Sequence, residues 1–175
     1  MALQTLVIPL LMVLLTGWWS PSVEPSGAPI APALPFGSWA WPVSGPVIRG
    51  FDPPDSPYGA GHRGIDIAVA FGTTIVAPES GTVSFSGKVG GELFVTIVHG
   101  GGLSSTYSWI SSAAVRKGDL VSRGQPIGTT GYGHPGSSVS HLHFGARLDG
   151  EYVDPLQLLA PLGVQDLIRL VPILA

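Results

Sequence analysis

His141-Leu142-His143-Phe144-Gly145-Ala146-Arg147-Leu148-Asp149-Gly150-Glu151-Tyr152-Val153 holds a strand, a tight turn and a returning strand in thirteen residues. Side chains alternate across a strand. In that register Leu142 and Phe144 point into a core, while His141 and His143 share the opposite face. Asp149-Gly150 suits the left-handed backbone of a two-residue hairpin turn.

The same pattern continues upstream. Short β-type runs are read at residues 46–51, 64–70, 74–76, 81–86, 93–99, 103–109 and 126–129, besides 141–148 and 151–153. Gly90-Gly91 and Gly100-Gly101 supply further hairpin turns. Nine short strands with few strong helix formers predict an all-β fold, an antiparallel sandwich or partly closed barrel. A short helical turn is expected at 154–159 and an amphipathic helix at 164–171.

The chain divides into three parts. Residues 5–19 form an uncharged apolar run of 15, shorter than a membrane span and suited to the core of a signal peptide. Ala31-Pro32-Ala33 offers a small-x-small cleavage site, although no Lys or Arg precedes Arg49. Residues 1–33 are therefore read as a signal peptide or N-terminal anchor with a Pro-rich linker. If left uncleaved, the leader would attach the protein to a membrane. Residues 41–159 are the folded β domain, and 160–175 a C-terminal tail. Export to the cell wall, periplasm or medium follows as the expected location.

Composition narrows the chemistry. The 175 residues carry a formal net charge of −3 with no basic block, so nucleic acid is excluded as a partner. There is no cysteine, which removes disulfides and thiolate metal sites. A monomer is expected.

Imidazole and carboxylate ligands remain. His62 and Asp66 are four residues apart, about 13 Å along a straight strand and too far to share an ion. Gly64 between them allows a bend. Alone, such a pair is most often a surface hydrogen bond, and His141 with His143 could equally mark a polar edge strand. Together, His62, Asp66 and one of the histidine pair form two imidazoles and a carboxylate, a ligand set for Zn²⁺ with a fourth position for water. Calcium and iron–sulfur chemistry fit this set poorly.

With these residues in place, the chain resembles the lysostaphin-type zinc metallopeptidases, a family of murein endopeptidases. The resemblance spans about residues 41–159. It runs through Trp41-Pro42-Val43, Gly61-His62-Arg63-Gly64-Ile65-Asp66, Gly81-Thr82-Val83 and His99-Gly100. It continues through Lys117-Gly118-Asp119, Gly124-Gln125, His141-Leu142-His143-Phe144 and Asp154-Pro155. It implies His62, Asp66 and His143 as zinc ligands, His141 as a catalytic histidine, and a groove for peptidoglycan peptides.

One position departs from the family pattern. Where the family carries Tyr-x-His, this chain has Tyr107-Ser108-Trp109. The Trp109 indole N–H or the Tyr107 hydroxyl is a candidate replacement donor to a developing oxyanion. Against this, Trp109 could simply pack the groove wall. His134, in Gly133-His134-Pro135-Gly136, could swing toward the metal. Three readings follow: a zinc endopeptidase of peptidoglycan, a degenerate zinc-binding wall binder or hydrolase activator, and a metal-free surface sandwich.

Overall fold

Ten strands alternate with short turns in the computed structural model, which describes residues 37–56 and 59–161. They are β1 (Val47–Arg49), β2 (Ile65–Ala68), β3 (Thr74–Val76), β4 (Gly81–Val89) and β5 (Glu92–Val98). Then come β6 (Leu103–Ala113), β7 (Leu120–Val121), β8 (Pro126–Thr130), β9 (His141–Leu148) and β10 (Glu151–Val153). All nine expected runs are present, three with the expected bounds and six with shifted ends. The strand that sequence did not reveal is β7, two residues at the sheet edge against β4. Two residues are too few for a periodic signal.

Every ladder is antiparallel, and the sheet runs β1-β2-β9-β6-β5-β4-β7 without closing. β10 pairs with β9, and a β3–β8 arm joins through β6. The turns carry the left-handed residues they need: Gly90 and Gly91 between β4 and β5, and Asp149 and Gly150 between β9 and β10. In the β5–β6 turn the left-handed pair is Gly101-Gly102, one residue later than expected.

The core is one cluster. Ile65, Ile67, Val95, Ile97, Leu142 and Phe144 are buried in it, as the alternation in β9 required of the last two. Trp39 is 1% exposed and bridges Leu159, so the folded unit begins before residue 41. Asp154 caps a 3₁₀ turn over Pro155–Gln157 by accepting from Leu156 N–H. The leader expected at 1–33 and the helix at 164–171 lie outside the described residues.

β6 does two jobs. Its first half pairs with β9 as far as Ser108↔His143, and its second half pairs with β8 from Ile110↔Thr130. The change of partner falls at Trp109, whose φ is +55° in the left-handed region. An irregular residue of this kind bends a strand and re-aims its side chain. Here it turns β6 away from β9 beside the histidines.

Candidate metal centre

Strand register builds the first half of the site. β2 and β9 pair Asp66 with His143 and Ala68 with His141. His143 Nδ1 lies 2.8 Å from Asp66 Oδ1.

His62 arrives from the turn before β2. Its backbone is locked to Asp52 through His62 N–H to Asp52 O at 2.6 Å and Asp52 N–H to His62 O at 2.9 Å. Its ring Nδ1–H donates to the Gly50 carbonyl at 2.6 Å. A carbonyl only accepts, so Nε2 is left with its lone pair. That Nε2 lies 3.0 Å from Asp66 Oδ1 and 3.1 Å from His143 Nδ1. A ring nitrogen this close to a carboxylate oxygen needs a proton or a cation between them. For ligand bonds of 2.0–2.1 Å, a tetrahedral site has edges of about 3.3 Å. The three atoms therefore fit a zinc ion by spacing and by donor chemistry.

Gly64 is needed for a reason other than bending. A Cβ there would lie 2.4 Å from the Phe144 carbonyl oxygen and 3.0 Å from His143 Nε2. Its φ is not in the left-handed region. Close approach of the turn to β9 is what excludes a side chain.

His141 is fully buried. Its Nδ1–H donates to Val139 O at 2.8 Å, and its Nε2 lies 3.8 Å from Asp66 Oδ1. His134, from the loop between β8 and β9, places Nε2 2.9 Å from Asp66 Oδ2. His62, Asp66, His134 and His143 each offer a ligand atom, and these four atoms lie within 4.8 Å of one another. His134 is the residue that sequence pattern undervalued. Its signal was only a histidine between glycines, in a loop whose path no periodicity predicts.

Trp109 packs edge-on against His143 at 5.6 Å and His134 at 5.4 Å between ring centroids. Tyr107 requires a correction. Its side chain lies in the core, 0% exposed, with its hydroxyl bound to Ser105 Oγ at 3.0 Å. Burial holds its phenol well above the usual range. Alternation along β6 turns it away from the groove, so it is not an oxyanion donor. Ser105 in turn meets His99 Nε2 at 2.8 Å, and His99 Nδ1–H donates to Ser80 O at 2.9 Å.

The electrostatics suit a cation. Burial would raise the Asp66 carboxyl, but its contacts with His143, His134 and His62 outweigh it. The group is held well below the usual carboxylate range. Burial pushes His143 down despite Asp66, which favours the neutral form of the imidazole that binds metal.

A groove of about 660 Å³ opens over His62, His134 and His143. Phe85, Phe94, Trp109 and Tyr152 supply aromatic surface. Arg49, Arg63 and Arg147 also line it.

The family model for peptidase family M23 matches residues 60–155. The uncharacterized protein Rv2891 of Mycobacterium tuberculosis is 40% identical over 126 residues, covering 68% of this chain and 50% of that protein. The murein hydrolase activator NlpD of Salmonella typhimurium is 34% identical over 140 residues, covering 79% of this chain and 36% of the activator. This chain thus spans about a third to a half of the length of the curated relatives it matches. The structure of the antimicrobial peptidase lysostaphin from Staphylococcus simulans superposes with a TM-score of 0.60 at 27% identity, covering 73% of this chain and 55% of lysostaphin.

Proposed function

The chain belongs to peptidase family M23, and from that premise we propose that it is an exported zinc endopeptidase cutting peptide cross-links of peptidoglycan. The observation that carries this is the convergence of His62 Nε2, Asp66 Oδ1 and His143 Nδ1 within 2.8–3.1 Å of one another. Zinc held there would polarise a scissile carbonyl and bring the pKa of a water from 15.7 toward about 7.

The other roles fall to this chain's own residues. His141 Nε2 is the proton acceptor, because its Nδ1–H is committed to Val139. The backbone N–H of His134 approaches that Nε2 at 3.4 Å, longer than an ordinary hydrogen bond and easily displaced. Trp109 lines the groove, and its indole N–H is the candidate donor to the oxyanion. Arg49 and Arg147 in the groove wall suit a peptide bearing free carboxylates, as peptidoglycan stem peptides do. Export rests on the apolar run at residues 5–19. The catalytic domain is proposed to span 41–159, with Trp39, bridged to Leu159, extending the folded unit at its start.

The test is amine release from purified peptidoglycan by the zinc-loaded protein, with and without chelator. Release that stops on chelation and returns with zinc supports the reading. A zinc-loaded protein that releases nothing contradicts hydrolysis.

A second reading is supported by Trp109, which stands where the family pattern carries histidine, and by the likeness to a murein hydrolase activator. Here the groove grips wall peptide without cutting it. Co-sedimentation with peptidoglycan in the absence of amine release would favour this reading.

A further inference from the structure

We infer that His134 is a fourth protein ligand of the metal centre, so that the ion is held by three imidazoles and one carboxylate. This rests on the zinc reading above and concerns the position that reading leaves open.

The ring is aimed by its own bonding. His134 Nδ1–H donates to the carbonyl of Pro135 at 3.0 Å, which leaves Nε2 with its lone pair. That Nε2 lies 2.9 Å from Asp66 Oδ2, close enough for both atoms to share one ion. His62 Nε2 makes the same kind of contact with Asp66 Oδ1 at 3.0 Å. Two imidazole nitrogens thus converge on one carboxylate. The widest separation among the four ligand atoms is no more than 4.8 Å. A tetrahedral edge of about 3.3 Å is then reached by ring movement of about 1.5 Å at most.

The loop is seated to deliver this ring. Gly133 has φ +89°, and a Cβ there would lie 2.2 Å from His141 Cε1. Only glycine lets the chain pass this close to the buried His141 ring. The next backbone N–H, that of His134, points at His141 Nε2. On the other side the Trp109 ring stands edge-on to His134. The indole thus occupies the strand position where a histidine was expected, and forms the wall against which a loop histidine packs. A zinc ion with four protein ligands has no vacant position in the resting protein, so the His134 ring would have to leave before a water or substrate carbonyl could bind.

The experiment uses the full chain loaded with zinc, and separately with cobalt. X-ray absorption on wild-type zinc protein should show three imidazole ligands and one carboxylate. The wild-type cobalt spectrum should be insensitive to azide, while that of His134→Ala should change on azide addition. Competition with a chelator should show zinc affinity at least about tenfold weaker in His134→Ala. His134→Asp, which restores a ligand atom, should recover much of that loss. Wild-type cobalt protein that already responds to azide, with His134→Ala binding zinc as tightly as wild type, would overturn the inference and leave the three-ligand centre standing. If the wild-type chain binds no zinc, both the centre and this inference fall.

Discussion

Asp66 and His143 face each other directly across the β2–β9 ladder, with carboxylate oxygen and ring nitrogen 2.8 Å apart. The candidate metal site is therefore a product of strand register. A slip of one residue would send one of the two into the core.

Asp66→Asn should abolish tight zinc binding while leaving the sheet intact. The amide is nearly isosteric but lacks the charge that offsets the ion. Isothermal titration should show affinity down by about 10²-fold or more, since even outer partners of metal ligands are worth 10–100-fold. Unchanged affinity would remove Asp66 from the ligand set.

Gly64→Ala should destabilise the fold by about 1–3 kcal/mol through overpacking. The added methyl would meet the Phe144 carbonyl at 2.4 Å and push β2 off β9. Gly100→Ala is the control, because a Cβ there meets nothing within 4 Å. Thermal unfolding of the two variants side by side measures the difference.

Removing zinc should lower the unfolding temperature. An ion present at 1,000 times its dissociation constant contributes about 4 kcal/mol of stability. Calorimetry with and without chelator should show the loss in wild type. Asp66→Asn should give the same lower midpoint under both conditions.

Trp109→Phe keeps a ring against His143 and His134 but removes the indole N–H. If that N–H stabilises the oxyanion, peptidoglycan hydrolysis should fall about 10²-fold with zinc affinity unchanged. Equal rates would leave Trp109 as packing alone.

His99 sets a pH dependence of stability. Burial lowers its pKa in the fold, partly opposed by the Ser80 carbonyl and Glu79. As pH falls below about 6.5, the unfolded chain takes up this proton before the folded one does. Stability should then drop with acidity, by at most about 1.4 kcal/mol per pH unit, until the folded His99 also protonates. His99→Gln should flatten the stability profile in that window, read by denaturant midpoints at a series of pH values.

Much of this protein could be read from local pattern. Alternation placed Leu142 and Phe144 in the core and His143 on the open face, and turn chemistry at Gly90-Gly91 and Asp149-Gly150 marked the hairpins. These features depend on neighbours within a few residues, so sequence alone determined them. Three matters were left to tertiary structure. Tyr107 belongs to a buried chain with Ser105 and His99. Gly64 is required by contact with β9, not by its own backbone angles. His134 reaches Asp66 across a separation of 68 residues. Each depends on which distant backbone passes within a few ångströms, and no local periodicity encodes that distance.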